Sequence, residues 1–462
     1  MNPTSVLPGN IQDFAGSGSR VTQTDQATQR PLEVHRAFGN VPGVATVNDD
    51  GQARHGGIGI RGAPARRSRK TLILEDGQGI NFSTYIDPST HYTPPLDRVE
   101  AVEVIRGAVF LQGPLTNHGV VNFQNLNPFG TPETVVKASV GHTEGAQNDI
   151  NFNRHIHHRQ HIDNVGVVVS YTGSDFSGAW DNERLRYDDF YAALGWRGSS
   201  SDLTISGVYF RQRDRFDEAN FEPNEFAEFG RCKSCADPVS RFNNYNSDIF
   251  RLQVAHDYYV DPSTTISSRV YGYYNDRPRF EAEAEGYTFT MEGRVRRYDH
   301  VGAESRVEFA DRAFIGGLTQ DIQVGVRYEN SGFKNKNTIG EKGEKLDFDN
   351  RGDTDDLLEN YEADAFSAFV QTAIHLTPRF TVIPGVRFES YNVTRKVQAD
   401  GDRDLELGDP AITEKSSFDN VLPGIGVSWK ATDLTNLYAS VHRGHTPHVG
   451  RGEPYPLKTK SA

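Results

Sequence analysis

Long apolar runs and cysteines are scarce in this chain of 462 residues, and basic residues are fewer than acidic ones. No run of 18 or more apolar residues occurs, so no transmembrane helix can be assigned. The 49 basic residues are outnumbered by 62 acidic ones, and the net charge of −13 argues against a nucleic-acid partner, whose phosphates would require a basic face. The two cysteines are too few to complete a zinc site by themselves.

The residues of strands and turns are plentiful instead, with 19 Tyr, 27 Phe and 44 Gly. From about residue 133 onwards, apolar and polar residues alternate with the period of two that is typical of β-strands. The pattern predicts thirteen strands, at 133–141, 148–156, 164–172, 188–198, 201–212, 247–258, 264–275, 295–309, 320–330, 364–376, 379–395, 420–430 and 434–443.

The connections between these predicted strands alternate between short and long. The short ones are 197–201, 260–264, 377–379 and 430–434, and the long polar ones are 213–246, 276–294, 331–363 and 396–419. In an antiparallel sheet this alternation places all short turns at one end and all long loops at the other, as in outer-membrane β-barrels. A soluble β-sandwich or propeller is the alternative, but it seldom has this asymmetry, and the chain has no blade-length repeat.

The first 130 residues differ, because short apolar runs there are separated by Gly, Pro and charged residues. In order, the runs are RPLEVHRAFGNVPGV (30–44), GIGIRG (57–62), TLILEDG (71–77), LDRVEAVEVIRG (96–107) and GVVNF (119–123). This succession resembles the plug domain of TonB-dependent outer-membrane receptors, and TPRFTVIPGVRFES and FDNVLPGIGVSWKATDLTNLYASVHRGHTP are similar to that family's barrel strands. The resemblance implies an α/β plug at residues 1–130 and a partial, antiparallel transmembrane β-barrel at residues 131–462.

Among subfamilies, the resemblance is to ferric citrate and siderophore receptors. It implies a place in the bacterial outer membrane, contact with its lipid, uptake of an Fe(III) chelate, and a TonB-type energy-transducing partner on the periplasmic side. No enzyme and no resident cofactor are expected, since no acid–base pair, nucleophile elbow or phosphate loop is found. A passive porin-like or structural barrel and an inactive fragment stay open as alternatives.

The chain departs from the family pattern at both ends. A complete barrel of this kind closes with 22 strands, whereas about thirteen are predicted here, so we expect an incomplete barrel that stops before its last strands. A TonB box is an extended peptide that adds a strand to a partner's sheet edge. Only SVLPGNI (5–11) is apolar enough for that role, and Pro8 interrupts it.

The tripeptide Ile-Arg-Gly ends an apolar run twice, at Arg61 and at Arg106. In the family, two plug arginines at these places lie against glutamates of the barrel wall. An arginine keeps its charge at any relevant pH and pairs with a carboxylate through two hydrogen bonds. We therefore expect ion pairs between these arginines and the candidate wall residues Glu308, Glu329 and Glu389. The alternative is that both arginines end exposed strands.

Two plug loops are candidates for the ligand site, FSTYIDPSTHYTPP (82–95) and APARRSRK (63–70). In the family, the apex that corresponds to the first loop touches ligand. Tyrosine offers a ring and a hydroxyl, and clustered guanidiniums bind carboxylates. An anionic ferric chelate is therefore expected in a solvent-filled vestibule lined by Tyr85, His91, Tyr92, Arg66 and Arg67. Ordinary solvated side chains are the alternative.

Two further motifs invite a metal or redox interpretation. Cys232 and Cys235 in CKSC lie in a long loop without a βαβ context, so a local disulfide is expected rather than a thioredoxin-like site. The histidine-rich stretch RHIHHRQHID (154–163) falls at the first short-turn end, and a solvated turn is expected there rather than a metal site.

Overall fold

The computed structural model describes residues 5–7, 16–29, 33–48, 55–106, 117–143, 150–178, 180, 183–215, 223–433 and 435–445. These residues build a small N-terminal sheet and then a large antiparallel sheet. No helix in the described ranges is long and apolar enough to cross a lipid bilayer. The candidate TonB box at residues 5–11 lies mostly outside them.

The N-terminal domain, which we call the plug, is organised around a five-stranded sheet in the order β1-β6-β7-β4-β5. Only β4 and β7 run parallel, and β2 and β3 form a separate hairpin. Its strands are β1 Ser17–Thr22, β2 Val44–Val47, β3 Gly57–Ile60, β4 Leu72–Glu75, β5 Gln78–Gly79, β6 Val99–Arg106 and β7 Gly119–Asn125. Helix α1 spans Gln23–Gln29, and single 3-10 turns span Val34–Phe38, Arg66–Ser68 and Leu96–Arg98.

The central strands of the plug are apolar on both faces, unlike the alternating strands of the rest of the chain. Ile58, Ile73, Val102 and Val121 are all fully buried. Burial of each such side chain contributes about 1.5–3 kcal/mol. Strands that are covered on both sides show no polar alternation, which explains why these segments appear in the sequence as short apolar runs.

Within the described ranges, the large sheet, which we call the wall, has thirteen strands, each hydrogen-bonded to its neighbours in sequence. The predicted strand number and antiparallel order are confirmed. The strands are β8 Glu133–His142, β9 Ile150–Ile162, β10 Val165–Ser177, β11 Arg184–Arg197, β12 Ser201–Asp214, β13 Asn244–Asp261, β14 Thr264–Glu285, β15 Thr288–Ile315, β16 Leu318–Ile339, β17 Asp353–Thr377, β18 Phe380–Asp400, β19 Ile412–Thr432 and β20 Thr435–His442.

The two ends of the wall differ, as predicted. At the turn end, two or three residues join consecutive strands, for example at 198–200, 262–263 and 378–379. At the opposite, loop end, longer segments connect the strands, and one of them carries helices α2 Pro223–Phe229 and α3 Lys233–Ala236 and a 3-10 turn Pro238–Phe242. A disulfide within that segment joins Cys232 to Cys235.

One predicted long loop, 276–294, is wrong. Strands β14 and β15 continue through it as a paired hairpin and leave only residues 286–287 unpaired. The left-handed backbone of Gly286 (φ 61°) makes this tight turn. The segment was misassigned because many of its side chains are polar, and strand pairing by the backbone does not require apolar side chains.

The stretch 154–163 is also not a solvated turn. Strand β9 runs to Ile162, and the turn follows at residues 163–164. His155 and His157 point to the inner face and are each 2% exposed. Nδ1 of His155 lies 2.8 Å from Oγ1 of Thr172, and its Nε2 lies 2.8 Å from Nδ1 of His157. The prediction ended this strand six residues too early, at 156 rather than 162.

The wall curves around the plug. Plug side chains make hydrogen bonds to β11, β14, β15 and β18, through the pairs Arg98–Asp189, Gln78–Gly272, Asp87–Tyr298 and Tyr85–Glu389. In the described residues, the edge strands β8 and β20 each pair on one side only, so the barrel is open.

The outer face of the wall is apolar. Leu252, Val270 and Val301 lie in mid-strand and are 58%, 61% and 59% exposed. Their chain neighbours point inward, as the period of two requires. The alternation seen in the sequence therefore separates an inner face that contacts the plug from an outer apolar face.

Candidate functional site

Arg98 is a fully buried charge between the plug and the wall. Nε and Nη2 donate to the two carboxylate oxygens of Asp189, on β11, at 2.6 and 3.0 Å. Nη1 donates to Oε1 of Glu75 at 2.7 Å and to the side-chain oxygen of Asn125, and Nη2 also donates to the hydroxyl of Tyr92 at 2.8 Å. A guanidinium has five N–H groups, so every donor of Arg98 is used.

Glu75 connects the same cluster to a second wall strand. Arg251 of β13 places Nη1 2.7 Å from Oε2 of Glu75, and its Nη2 donates to the backbone oxygen of Glu75 at 2.9 Å. Arg98, Glu75, Asp189 and Arg251 thus form what we call the four-charge network. Two positive and two negative groups balance, and none of the four residues is more than 7% exposed.

The ionised state of Glu75 follows from its neighbours. Burial by itself would raise the pKa of this carboxyl group, but Arg251 and Arg98 outweigh burial and lower the pKa to about 2. Glu75 therefore stays charged at any physiological pH, and the network keeps its balance.

Local sequence explains how these side chains come together. Glu75 ends β4 at an Asp-Gly turn, in which Asp76 and Gly77 both have left-handed backbones (φ 52° and 76°). Arg98 ends the 3-10 turn that follows Pro95 and precedes β6. Because both residues stand at element ends on the surface of the plug, their side chains can reach the wall.

A second feature of the interface is a row of aromatic side chains on the inner face of the wall, which we call the aromatic belt. It has one ring on each strand from β13 to β19: Tyr245, Tyr273, Tyr298, Phe333, Tyr361, Tyr391 and Phe418. Tyr298, Phe333 and Tyr361 are directly opposite one another in the strand register, with ring centroids 4.6 and 5.5 Å apart. Each such pair adds about 0.5–1.5 kcal/mol beyond burial.

The plug apex packs against this belt. The ring of Phe82 stacks on Tyr298 at 4.7 Å, and the ring of Tyr85 lies 5.1 Å from that of Tyr391. The hydroxyl of Tyr85 donates to the carboxylate of Glu389. The plug is thus seated against the inner face of the wall, held by ion pairs at Arg98 and by ring contacts at its apex.

Two family models match the chain. Residues 10–120 match the TonB-dependent receptor plug domain, and residues 234–456 match the TonB-dependent receptor-like β-barrel. Together these matches span 334 of the 462 residues. The chain belongs to the TonB-dependent receptor family.

Solved structures of receptors in this family have the same fold. The unliganded ferric citrate transporter FecA is similar with a TM-score of 0.79 at 18% identity, over 94% of this chain and 63% of that one. The ferric yersiniabactin uptake receptor FyuA from Yersinia pestis has a TM-score of 0.73 at 15% identity, over 93% of this chain and 64% of that one. The open form of the ferric-catecholate import receptor Fiu from E. coli K12 has a TM-score of 0.71 at 14% identity, over 95% of this chain and 72% of that one. The chain thus spans about 63% of the length of FecA.

The ion pairs predicted for the receptor's Ile-Arg-Gly arginines are wrong. Arg106 donates to the hydroxyls of Ser17 and Ser19 at 2.6 and 2.7 Å and so ties β6 to β1 within the plug. Arg61 lies exposed in a turn with a left-handed backbone (φ 52°). The physical reason is that β1 lies next to β6 in the plug sheet and supplies hydrogen-bond acceptors to Arg106 there, so its guanidinium does not extend to the wall. Arg98, from the same LDRVEAVEVIRG segment, is a plug arginine that does reach a wall carboxylate.

The predicted wall glutamates have other partners. Glu329 and Glu389 each pair with the arginine two residues earlier on the same strand, Arg327 at 2.5 Å and Arg387 at 2.6 Å. Residues i and i+2 of a strand share a face, so these pairs form without the plug. Glu308 is half-buried on β15 and pairs with neither predicted arginine.

The predicted vestibule is also wrong. Tyr85, His91 and Tyr92 are only 1%, 9% and 5% exposed, because the apex loop packs tightly against the wall. Tyr92 bonds to Arg98, His91 packs beside the ring of Tyr245 at 5.9 Å, and Tyr85 bonds to Glu389. Of the two arginines, Arg66 is exposed, and the backbone oxygen of Arg67 accepts a hydrogen bond from the Thr90 N–H at 2.9 Å, so the two loops contact each other through their backbones.

Replacing Arg98 by Met should loosen the plug. The change leaves Asp189 buried without its bidentate partner, and breaking a buried pair in this way costs roughly 3–5 kcal/mol. Hydrogen exchange of plug peptides in a urea titration should show release at lower urea in Arg98→Met. The matched control, Arg106→Met, removes an arginine that bonds only within the plug and should shift release much less. Equal shifts in the two variants would contradict the conclusion that Arg98 holds the plug to the wall.

Plug docking should also depend on pH through Asp76. Burial, with Glu75 beside it, raises the pKa of this carboxyl group to about 6 from 3.8. A raised folded pKa favours the docked state below 3.8, and this contribution is lost as pH rises through about 6. Glu75, with a pKa of about 2, acts oppositely and loses its contribution only as pH falls below 4.5 towards 2. Docking should therefore be tightest near pH 4, between about 3.8 and 4.5, and should weaken as the pH rises from there towards 6.

The measurement is the urea concentration at the midpoint of plug release, taken at several pH values between 5 and 7. Ionisation of Asp76 should lower the free energy of docking by roughly 1 kcal/mol between pH 5 and pH 7. In Asp76→Asn the slope over this range should flatten. Absolute stability is not the readout, because the amide also changes the hydrogen bonds that the carboxylate accepts from Asn125 at 2.9 and 2.6 Å. An unchanged slope in the variant would assign the pH response to another group.

Proposed function

We propose that this chain acts in energy-coupled uptake of a ferric chelate across the bacterial outer membrane. The observation that carries the proposal is the four-charge network, which seats the plug in the wall with every donor of Arg98 satisfied. Passage past such a plug requires work, because the buried ion pairs must be separated. A TonB-type partner that pulls on the plug from the turn end would supply that work.

The ligand class is proposed from the related structures. FecA transports ferric citrate, FyuA takes up ferric yersiniabactin and Fiu imports ferric catecholate. Their shared chemistry is an Fe(III) chelate that arrives from outside. Identities of 14–18% carry the fold alone, so the chelate is a proposal for this chain.

The outer membrane is proposed from the outer face of the wall. A mid-strand band that includes Leu252, Val270 and Val301 exposes more than half of each side chain. Soluble monomers rarely leave large contiguous apolar patches in water. Lipid tails are therefore the proposed neighbours of this face.

Uptake should be measured in cells that lack their own ferric-chelate receptors and express this chain. Iron-55 supplied as ferric citrate, as the Fe(III) complex of 2,3-dihydroxybenzoate or as a ferric hydroxamate serves as probe. At least one probe should accumulate, and a protonophore should abolish accumulation but leave surface binding intact. Accumulation that survives the protonophore, together with conductance of the purified chain in a planar bilayer, would instead identify a passive pore.

Leu252→Arg tests the membrane assignment. Leu252 lies near the middle of β13, and an arginine at the lipid-facing midplane of a barrel costs roughly 2–4 kcal/mol. The free energy of folding into phospholipid vesicles, measured by urea titration, should become less favourable by this amount. Ile412→Arg is the matched control, since Ile412 begins β19 at the loop end, where the cost is roughly 0–1 kcal/mol. If both variants fold as well as the parent, the outer face does not lie in lipid.

A further inference from the structure

A cavity of about 40 Å³ lies between the plug and strands β11 to β13, next to the four-charge network on the side of the turn end. Its inner end is lined by Asp76 and Gln253, which are 4% and 3% exposed. Its outer end is lined by Arg197 and Asp202, whose side chains are 51% and 26% exposed. A water molecule needs roughly 10–15 Å³ of such space, so the cavity has room for about three.

The strand register explains why the wall leaves this space. Five of the six inner-face residues on two successive rungs are short. Across β11, β12 and β13 the rungs are Ala193–Ser206–Gln253 and Gly195–Thr204–Ala255. The plug segment 125–129 lies over them, and a Cβ atom at Gly195 would lie 2.5 Å from the ring of Phe129. The short side chains beside this contact do not fill the space under the segment, so a gap remains.

An unpaired oxygen makes the cavity suitable for water. Nε2 of Gln253 donates to the backbone oxygen of Asp76 at 3.2 Å, which fixes the orientation of the amide. Oε1 of Gln253 is buried and has no hydrogen-bond partner among the described residues. Buried polar atoms nearly always have a protein or water partner, and the hydroxyls of Thr204 and Ser206 line the same cavity. A polar space of this size holds water, whereas an apolar one stays empty.

Asp76 is the titratable group at the inner end. Its carboxylate accepts from the N–H and from Nδ2 of Asn125, which also lines the cavity. The other charged or titratable groups around it are Glu75, Arg98, Asp189, Tyr191 and Arg251, with Arg197 and Asp202 at the outer end. Because its pKa is about 6, Asp76 must exchange a proton with the solution when the pH crosses that value, although its side chain is buried.

We propose that water in this cavity forms a proton-exchange route between the solution at the turn end and the carboxyl group of Asp76. Asp202 lies opposite Asp257, four residues beyond Gln253 on β13, so the two ends are roughly 13 Å apart along the strand. Three water molecules joined to each other and to both ends by four hydrogen bonds of roughly 2.8 Å span roughly 11 Å. The water that the cavity accommodates therefore suffices to connect its ends.

The transfer conserves protons and charge at each step. The carboxyl oxygen of Asp76 gives its proton to the first water, each water passes one proton to the next, and one proton is released to the solution between Arg197 and Asp202. A carboxylate remains at Asp76, held by Asn125. Asp76 therefore changes charge while the plug stays against the wall, and this holds whether or not the chain imports a chelate.

Infrared spectroscopy of the full chain in detergent tests the route. At about pD 5 Asp76 is mostly protonated, and its carbonyl band is the one that disappears in Asp76→Asn. After transfer from H₂O to D₂O, this band should shift within the mixing time, far sooner than the backbone amides of β4 and β7 exchange. A band that shifts only as slowly as those amides would mean that exchange requires release of the plug, and the route would be overturned.

Filling the cavity should close the route. Ala255→Leu places a larger side chain where the water lies and should slow the band shift by about tenfold or more. The matched control Ala192→Leu makes the same change on the outer face of β11, where Ala192 is exposed, and should exchange as the parent does. Equal rates in the two variants, with the plug amides protected in both, would overturn the route.

A second variant decides the matter if Ala255→Leu disturbs the seating of the plug. The double substitution Thr204→Val and Ser206→Ala adds no volume but removes both hydroxyls, so the lining becomes apolar and holds water poorly. Its band shift should slow about threefold or more while the amides of β4 and β7 exchange as in the parent. Exchange at the parent's rate in this variant would overturn the proposal.

Discussion

The guanidinium of Arg98 is the group on which the arrangement of plug and wall depends. It bonds in one plane to Asp189 of the wall and Glu75 of the plug, and all of its donors are used. A lysine could not replace it, because an ammonium has three donors and no planar fork. The geometry therefore fixes the position of the start of β6 and of the turn after β4 relative to β11. Arg251 repeats the constraint from β13.

The rest of the interface is consistent with that placement. With the plug fixed at Arg98, its apex meets the aromatic belt, where Phe82 stacks on Tyr298 and Tyr85 contacts Tyr391 and Glu389. Ring contacts of this kind tolerate small shifts, whereas bidentate ion pairs do not. The charges therefore define the position of the plug in the wall, and the rings fill the space between the plug apex and the aromatic belt.

Much of the fold could be predicted from the sequence, because a wall strand is recognised by alternating apolar and polar residues, and the two ends of the wall are recognised by the lengths of the connecting segments. Register, however, depends on which residues face each other across strands, and this is invisible in one chain. The aromatic belt was missed for that reason: Tyr298 and Phe333 are 35 positions apart and become neighbours only through strand pairing. The Ile-Arg-Gly motif predicted the wrong arginines because the partners of Arg106, Ser17 and Ser19, lie on a strand that the sequence did not mark. Arg98, eight positions before Arg106, had no distinguishing pattern of its own.

The presence of charges rather than apolar groups at the interface has a physical consequence for separation of the plug from the wall. Well-packed apolar residues of similar volume would often hold the two parts at least as firmly as a buried ion network does. An apolar contact, however, exposes hydrocarbon to water when it opens, whereas separated carboxylates and guanidiniums are rehydrated favourably. Water that enters between Arg98 and Asp189 therefore stabilises the open state as well as competing with the closed one. A network of four balanced charges thus combines a defined closed geometry with a separated state that water can support, and this is the property that the proposed uptake function requires of the plug.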